Sequence, residues 1–473
     1  MSEIAQTESG EISTREKSII AELTDKSIKI RVSANSYFIA LFLATFFTGL
    51  FIYLEYDLVA AILFISSWIL IPFLMWTDKI SFDGKELIRT GFIPRAWAWF
   101  NNLKYRLKLD EIEQVETQAL RALKRGGSVF YRYRTSVRGK DLSFVIASGG
   151  EDYRLMVVKL FPLLSENLLD NRSIELRDYL SEPKETLMKA EFAKIPSIEV
   201  LESSLNEFEH PKLKKKARKN PPVFEDVELE KADYLRRLAN ELRLSGQLLQ
   251  ALEVFRRALF LNPKDGWLLF EFARCLHSFA GTEKNTKLER KALAALRLAE
   301  KHGKNDKELL ARLGESYFQY GEWNRAKKVF QKALDIAEES FRSVRGMAEI
   351  SLREGKIAHV IHHFATANRL AETPALRRWT QAETDYFTRL NSDDEYMDME
   401  VSRVNLLESL ERGKKTSLKI SLFGLPWIII GILLEENLIV NLGWTVSCVA
   451  ILIWVGTIMS RNILSARIPL DME

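Results

Sequence analysis

The chain has 473 residues, enough to call for more than one folding unit. Charged residues make up 28% of it, yet the mean hydropathy is only −0.11, so apolar residues must be concentrated locally. Two cysteines, Cys275 and Cys448, exclude a disulfide framework or zinc knuckle, and a net charge of +4 from 68 basic and 64 acidic residues does not make nucleic acid a default partner.

Residues 1–36 are polar and read as a tail. Tyr37 to Leu54 and Leu58 to Trp76 then run without a charge, separated by Glu55, Tyr56 and Asp57. At roughly 1.5 Å per residue each run is about 27 Å long, near the roughly 30 Å hydrocarbon core, so 37–76 is expected to be a transmembrane hairpin. A cleaved signal peptide does not fit a run that lies behind a polar stretch and turns back at once. Ser417 to Leu434 and Leu438 to Met459, joined by Glu435, Glu436 and Asn437, repeat the pattern over 417–460, with Lys419 placed to snorkel and 461–473 as a second tail. Basic residues flank the outer ends of both hairpins (Lys26, Lys29 and Arg31; Lys79, Lys85 and Arg89; Arg412, Lys414 and Lys415; Arg461 and Arg467), whereas the charges in the turns are all acidic. Positive-inside counting therefore puts both termini and residues 77–416 in the cytoplasm. A reducing compartment also suits an unpaired Cys275.

Short strands are expected next. Ile80 to Phe82 and Leu87 to Arg89 flank the turn Asp83-Gly84, followed by Lys104 to Leu109, Ile112 to Thr117, Val129 to Val137, Leu142 to Ile146 and Tyr153 to Val158. A helical stretch with Leu164, Leu168, Leu176 and Leu180 would then cover one end of a small β-barrel. The run Lys79-Ile-Ser-Phe-Asp-Gly-Lys-Glu-Leu-Ile-Arg-Thr-Gly91-Phe-Ile-Pro94, with Leu107-Lys-Leu-Asp-Glu-Ile112-Glu-Gln-Val115-Glu116, resembles the bacterial pleckstrin-homology-like domain found behind a two-helix membrane hairpin. The resemblance spans about 78–182, and the stretch with Trp97, Trp99 and Phe100 departs from it. It implies a binding or oligomerisation module at the membrane surface, without catalysis. Arg121, Lys124, Arg125, Arg132, Arg134, Arg138 and Lys140 form a basic cluster. Arg121, Lys124, Arg125, Arg138 and Lys140 are candidate contacts to anionic lipid, and solvated turns are the alternative.

Residues 183–225 hold Pro183, Pro196, Pro211, Pro221 and Pro222 and the basic run Lys212 to Lys219, and read as a linker in which nothing favours nucleic acid. From 226 to 390 the sequence repeats. Leu235, Leu238, Ala239, Leu242 and Gly246 are followed by Ala251, Phe255, Ala258 and Pro263, and the pattern returns with Leu310, Leu313, Gly314, Tyr317, Gly321, Ala326, Phe330 and Ala333. This resembles the tetratricopeptide repeat (TPR), in which small residues let paired helices approach closely. A unit from Gly266 fits the register if seven extra residues lie near 281–287, and another begins at Phe341. Ala375 to Leu390 is expected to cap the stack, and 392–416 to form a connecting helix.

The resemblance to TPR proteins implies a peptide-binding inner face at Arg236, Asn240, Trp267, Phe270, Arg274, Glu315, Phe318, Arg342 and Arg345, with Asp233, Arg243, His277, Glu308, Ala311, Glu349 and Leu352 at the remaining inner positions. Glu271 and Glu308 interrupt a carboxylate clamp. The expected ligand is a segment mixing apolar and acidic residues. His359, His362 and His363 share a helix face without a complete metal-ligand set, and no nucleotide-binding, metalloprotease, serine-hydrolase or kinase motif occurs. The expectation is a multidomain bacterial inner-membrane scaffold with no catalytic residues, cofactor or metal, binding a protein partner, with a homo-oligomer left open. A lipid-responsive regulator is the alternative.

Overall fold

The computed structural model describes residues 27–32, 35–100, 105–123, 129–140, 142–147, 151–205, 226–337 and 339–465. They divide into two compact units, one containing residues 43–65, 351–368 and 379–465, the other containing the rest.

In the larger unit, strands β1 (Ile28–Arg31), β2 (Lys79–Phe82), β3 (Glu86–Arg89) and β4 (Arg106–Lys108) form an antiparallel sheet in that order. β1 precedes and β2 follows the apolar helices α1 (Asn35–Tyr53) and α2 (Asp57–Thr77), with Ile28 opposite Phe82 and Arg31 opposite Lys79. The expected polar tail therefore contributes a strand. Ile28 and Ile30 are buried while Lys29 and Arg31 face out, the alternation of a half-buried strand. Gly84 supplies the positive φ of the β2–β3 turn, where Asp83 accepts the amides of Lys85 and Glu86, each at 2.9 Å. Helix α3 (Phe92–Phe100) intervenes before β4.

A second sheet holds β5 (Ile112–Leu123), β6 (Val129–Gly139) and β7 (Ser143–Ala147). Among the described residues no ladder joins the two sheets, so the expected closed barrel is instead a pair of separate sheets. The expected strand at Tyr153 to Val158 is helix α4 (Glu151–Leu160). Tyr153, Met156, Val157 and Leu160 are all buried, a helical spacing, and share a core with Ile28, Ile80, Phe82, Val115 and Val137. Helix α5 (Asn171–Tyr179) follows, capped by Asp170, whose carboxylate also accepts the Thr117 amide at 3.1 Å.

The expected linker is helical over its first part, α6 (Pro183–Phe192) and α7 (Ile198–Leu205), while its basic run 212–219 lies outside the described residues. Helices α8 (Asp226–Leu244), α9 (Leu248–Leu261), α10 (Gly266–Glu283), α11 (Thr286–His302), α12 (Lys307–Gln319), α13 (Trp323–Ile336) and α14 (Phe341–Arg353) make the repeat array. Ala190 and Ile195 join the core of α8 and α9, and Arg257 and Gln250 donate to the carbonyls of Ala193 and Pro196 at 3.0 and 3.2 Å. Residues 183–205 thus close the first end of the array. The small residues Ala239, Ala251, Ala258, Ala273, Ala292, Ala299, Ala326 and Ala333 are fully buried, as close helix pairing requires. The seven additional residues extend the second helix pair instead of looping out: α10 continues to Glu283, Lys284 turns the chain with a φ of 51°, and Asn285 caps α11.

The other unit contains helix α15 (Ile357–Leu370), most of α16 (Pro374–Ser392), α17 (Asp394–Leu433) and α18 (Asn437–Leu464) with adjoining parts of α1 and α2. Phe364 stacks on Phe387, and Asn368 bonds Thr380 at 2.9 Å. The connecting segment and the third apolar run form one continuous helix of 40 residues. α17 and α18 approach through Gly424, Gly431 and Gly443, where the Ser447 hydroxyl donates to the Ser421 carbonyl at 3.2 Å. Trp444 packs on Phe46, and the Tyr53 hydroxyl reaches Asn441 at 2.7 Å. α1, α2, α17 and α18 are each long and apolar enough to cross a membrane.

Phe330 on α13 is packed between Gly314 of α12 and Gly346 of α14. A Cβ at Gly314 would lie 2.5 Å from its ring. Gly314→Ala is therefore expected to lower stability by about 1–3 kcal/mol despite its better helix propensity, measurable as an earlier thermal transition in detergent.

Candidate functional site

The inner face of the array is built from side chains on α8, α10, α12 and α14, and most are already engaged. Arg236 meets Glu271 through two bonds of 2.7 Å, and the buried Asn240 amide donates to the same carboxylate at 2.9 Å. Trp267 donates its ring N–H to Asp306 at 2.7 Å and carries the Arg312 guanidinium over its face. His277 stacks on Tyr320 at 3.6 Å.

Helix α5 lies against this face. Glu175 projects between Arg243, at 3.0 Å, and Arg274, to which it is also ion-paired, while Arg274 covers the Phe270 ring. One turn earlier, Asn171 donates to Glu315 at 3.2 Å and accepts from Arg342 at 2.7 Å, and Arg342 also reaches Glu315 at 2.8 Å. The opposite side of α5 belongs to the sheets: Leu176 is fully buried in their core, and the Ser173 hydroxyl is 2.7 Å from that of Thr117. The spacing of four puts Asn171 and Glu175 on one side, Ser173 and Leu176 on the other. The Tyr133 hydroxyl adds a bond of 2.9 Å to the last carbonyl of α8, at Leu244.

Burial would push the Glu175 carboxyl up, but Arg243 and Arg274 outweigh it and hold the group at about 2. Side-chain exposures of 10% for Glu175 and 12% for Arg243 put the pair beyond the strong screening of a surface salt bridge. The Cys275 thiol is pushed up to about 12 by burial and is an inert packing group.

Arg236, Asn240, Trp267, Arg274, Glu315 and Arg342 thus lie on one engaged surface. Phe270 differs from expectation: it is only 3% exposed and serves the core, because neighbouring helices enclose it. Phe318 is half-buried against the same core, and Arg345 pairs along its own helix with Glu349 at 3.1 Å. Arg243, one of the remaining inner positions, joins this surface through Glu175, and Asn171 and Glu175 complete the site beyond the sequence-derived set. The sequence signal for Glu175 is its place between the apolar Ile174 and Leu176 in a helix that covers a core.

Among the lipid-contact candidates, Arg138 is exposed and 3.6 Å from Glu116, and Lys140 lines a cleft of about 380 Å³ together with Asp110, Glu111 and Glu113. Arg121 lies in β5, and Lys124 and Arg125 fall outside the described residues. Among the described residues no group of His, Cys, Asp and Glu side chains is arranged to hold a metal.

No family model and no curated protein matches the chain. Solved structures with partial likeness include PilF of Pseudomonas aeruginosa, at 18% identity over 46% of this chain and 90% of that one, with a TM-score of 0.30. A thermophilic TPR protein of Thermus thermophilus, TTC0263, is 16% identical over 44% of this chain and 98% of its own, with a TM-score of 0.28. YrrB, a TPR protein with an unusual peptide-binding site, is 15% identical over 33% and 76%, with a TM-score of 0.27. At those scores the likeness carries no argument, and the TPR-like array stands on its own helix pairs and buried small residues.

Because the Glu175 pKa is depressed on folding, its contribution is complete above the ordinary carboxylate range and is lost as pH falls from about 4.5 toward about 2. Glu175→Gln is expected to be less stable than the parent at pH 7, with the gap narrowing over that acid range. Thermal unfolding of both proteins from neutral pH down to pH 3 checks the sign.

Proposed function

We propose that the chain is a membrane-anchored scaffold whose TPR-like inner face recruits a protein partner, and that α5 is the resident occupant of that face. The observation that carries this reading is Glu175 held between Arg243 and Arg274, because it displays the ligand chemistry that the face accepts: a helix with an acid aimed at two guanidiniums. The four helices able to cross a membrane supply the anchor, in two hairpins.

A partner reaches the inner face when the sheet module carries α5 away as a rigid body. Leu176 and Ser173 keep α5 with the sheets, whereas the bonds of Asn171 and Glu175 to the array are polar and their groups can be hydrated on separation, which also exposes the contact of Leu244 with the core of the sheets. Against sensing of anionic lipid by the basic cluster, Arg138 is paired with Glu116 and Lys140 shares its cleft with Asp110, Glu111 and Glu113.

The test is crosslinking and pull-down from native membranes with a photoreactive residue in place of the exposed Arg345, comparing the parent, Asn171→Ala with Glu175→Ala, and the same pair with Arg274→Glu added, each shown to be folded and inserted. A specific protein is expected to be captured weakly by the parent, more strongly by the double variant and not by the triple variant. Recovery of the same proteins in the same amounts from all three would mean that the inner face does not recruit.

A further inference from the structure

Helix α3 carries its large aromatic side chains on the outside. Phe92 is 69% exposed, and Trp99 and Phe100 are each 77% exposed, while Ala98 on the opposite side is buried. Residues 92, 96, 99 and 100 fall on one stripe of a helix, so the exposed rings form a continuous apolar edge, with Arg95 at its margin. Trp99 and Phe100 have ring centroids 4.9 Å apart. Nothing in the core of the sheet module requires such a stripe to face outward.

The position of α3 says what covers it. Asp78, the residue between α2 and β2, is 1% exposed and receives the Arg89 guanidinium through bonds of 2.9 and 2.7 Å and the Tyr37 hydroxyl at 2.8 Å. Tyr37 lies in the first turn of α1. A Cβ at Gly91 would lie 2.7 Å from the Asp78 carboxylate and 3.1 Å from its Cα, so the chain entering α3 touches the residue at which the apolar helix α2 ends. Thr90 is pinned at the same level, its amide donating to the Lys79 carbonyl at 2.8 Å. Trp76 is 60% exposed in the last turn of α2, with the Lys79 ammonium 5.7 Å from its ring centroid. Tyr37, Trp76 and Lys79 are residue types that collect where a spanning helix meets the headgroups. α3 starts at that level and, at about 1.5 Å per residue, extends for about 13 Å.

We propose that α3 is an interfacial helix, with Phe92, Trp99 and Phe100 set into the headgroup and upper acyl region of the same bilayer that α1 and α2 cross. This deepens the membrane-anchored reading and rests on it. The lipid contact is aromatic and lies on α3, whereas the sequence had suggested the basic residues of 121–140. It ties the sheet module to the bilayer at a second place beyond the hairpin, as amphipathic interfacial helices do.

The test uses the full chain with Cys448→Ala, leaving the buried Cys275 in place, reconstituted in vesicles of phosphatidylethanolamine and phosphatidylglycerol. Single cysteines replace Trp99, Phe100, Arg95, Ile69 on α2 or the exposed Phe260 on α9, and each is spin-labelled. Collision rates with oxygen and with a water-soluble nickel chelate give the depth of each label. The Arg95→Cys protein keeps Phe92, Trp99 and Phe100 and guards against a loss of contact caused by the labelling itself. Labels at 95, 99 and 100 are expected to show several-fold lower nickel collision rates than the label at 260, and less oxygen preference than the label at 69. If the label at 69 is oxygen-dominated but those at 95, 99 and 100 match 260, the interfacial assignment is overturned and the anchor stands. If the label at 69 also matches 260, the anchor itself is overturned. Labels at 99 and 100 that are shielded from both relaxants and broadened by neighbouring spins would assign the stripe to a second copy of the chain, which also overturns the proposal.

Discussion

A carboxylate enclosed between two guanidiniums is tolerable only while all three stay together. Glu175 comes from the sheet module, and Arg243 and Arg274 come from the first two units of the array. Removing one member in the folded state strands a charge out of water, whereas separating the two surfaces returns every member to solvent. Apolar contacts add to the ions: Leu244 of α8 is buried in the core of the sheets, and Tyr131 of β6 packs on the core of α8 and α9, so parting the two modules also exposes apolar surface.

A second buried carboxylate lies in the sheet module, with one guanidinium and one hydroxyl on it. Asp78 gathers Arg89 and Tyr37 where the apolar hairpin meets β2, and β1 and β2 pair with each other across the two ends of that hairpin. The first sheet is thus threaded onto the hairpin by two adjacent strands. It cannot rotate about a single linker, and the short approach at Gly91 leaves α3 no slack. Between Asp78 and Glu175 the buried core of Ile80, Phe82, Val115, Leu160 and Leu176 is continuous.

The repeats and apolar hairpins were legible in the sequence because each is governed by a short-range period: small residues at fixed intervals in the array, and long uncharged runs broken by acidic turns. The 40-residue helix α17 was half legible, since its apolar half and polar half obey different rules while its backbone is one. The strand β1 was hidden, because four residues of alternating Ile, Lys, Ile and Arg beside an apolar run look like a charged flank. Tyr153 to Val158 misled because aromatic and β-branched residues suggest a strand, while the burial of Tyr153, Met156, Val157 and Leu160 follows the helical period. In the candidate site, the inner positions of the array were readable from the repeat register, but their state was not. Asn171 and Glu175 lie far from that register in the chain, and only the fold brings them to Arg342, Arg243 and Arg274.

One turn of α5 touches side chains from all four units of the array: Asn171 reaches Glu315 and Arg342 of the later two, and Glu175 reaches Arg243 and Arg274 of the earlier two. The long arginine side chains do the spanning, so the ligand itself need not be extended. The contact is short, an amide and an acid four residues apart on one helix face, and it is directional, with the amide toward the later units. Reversing the helix would set the acid near Glu315 and Arg342 and the neutral amide between two guanidiniums, which exchanges the pairs to Arg243 and Arg274 for a single one to Arg342 and adds a repulsion. On the proposed reading, a helix that replaces α5 presents the same pair in the same direction, while its far side, where α5 carries Leu176, is unconstrained by the array.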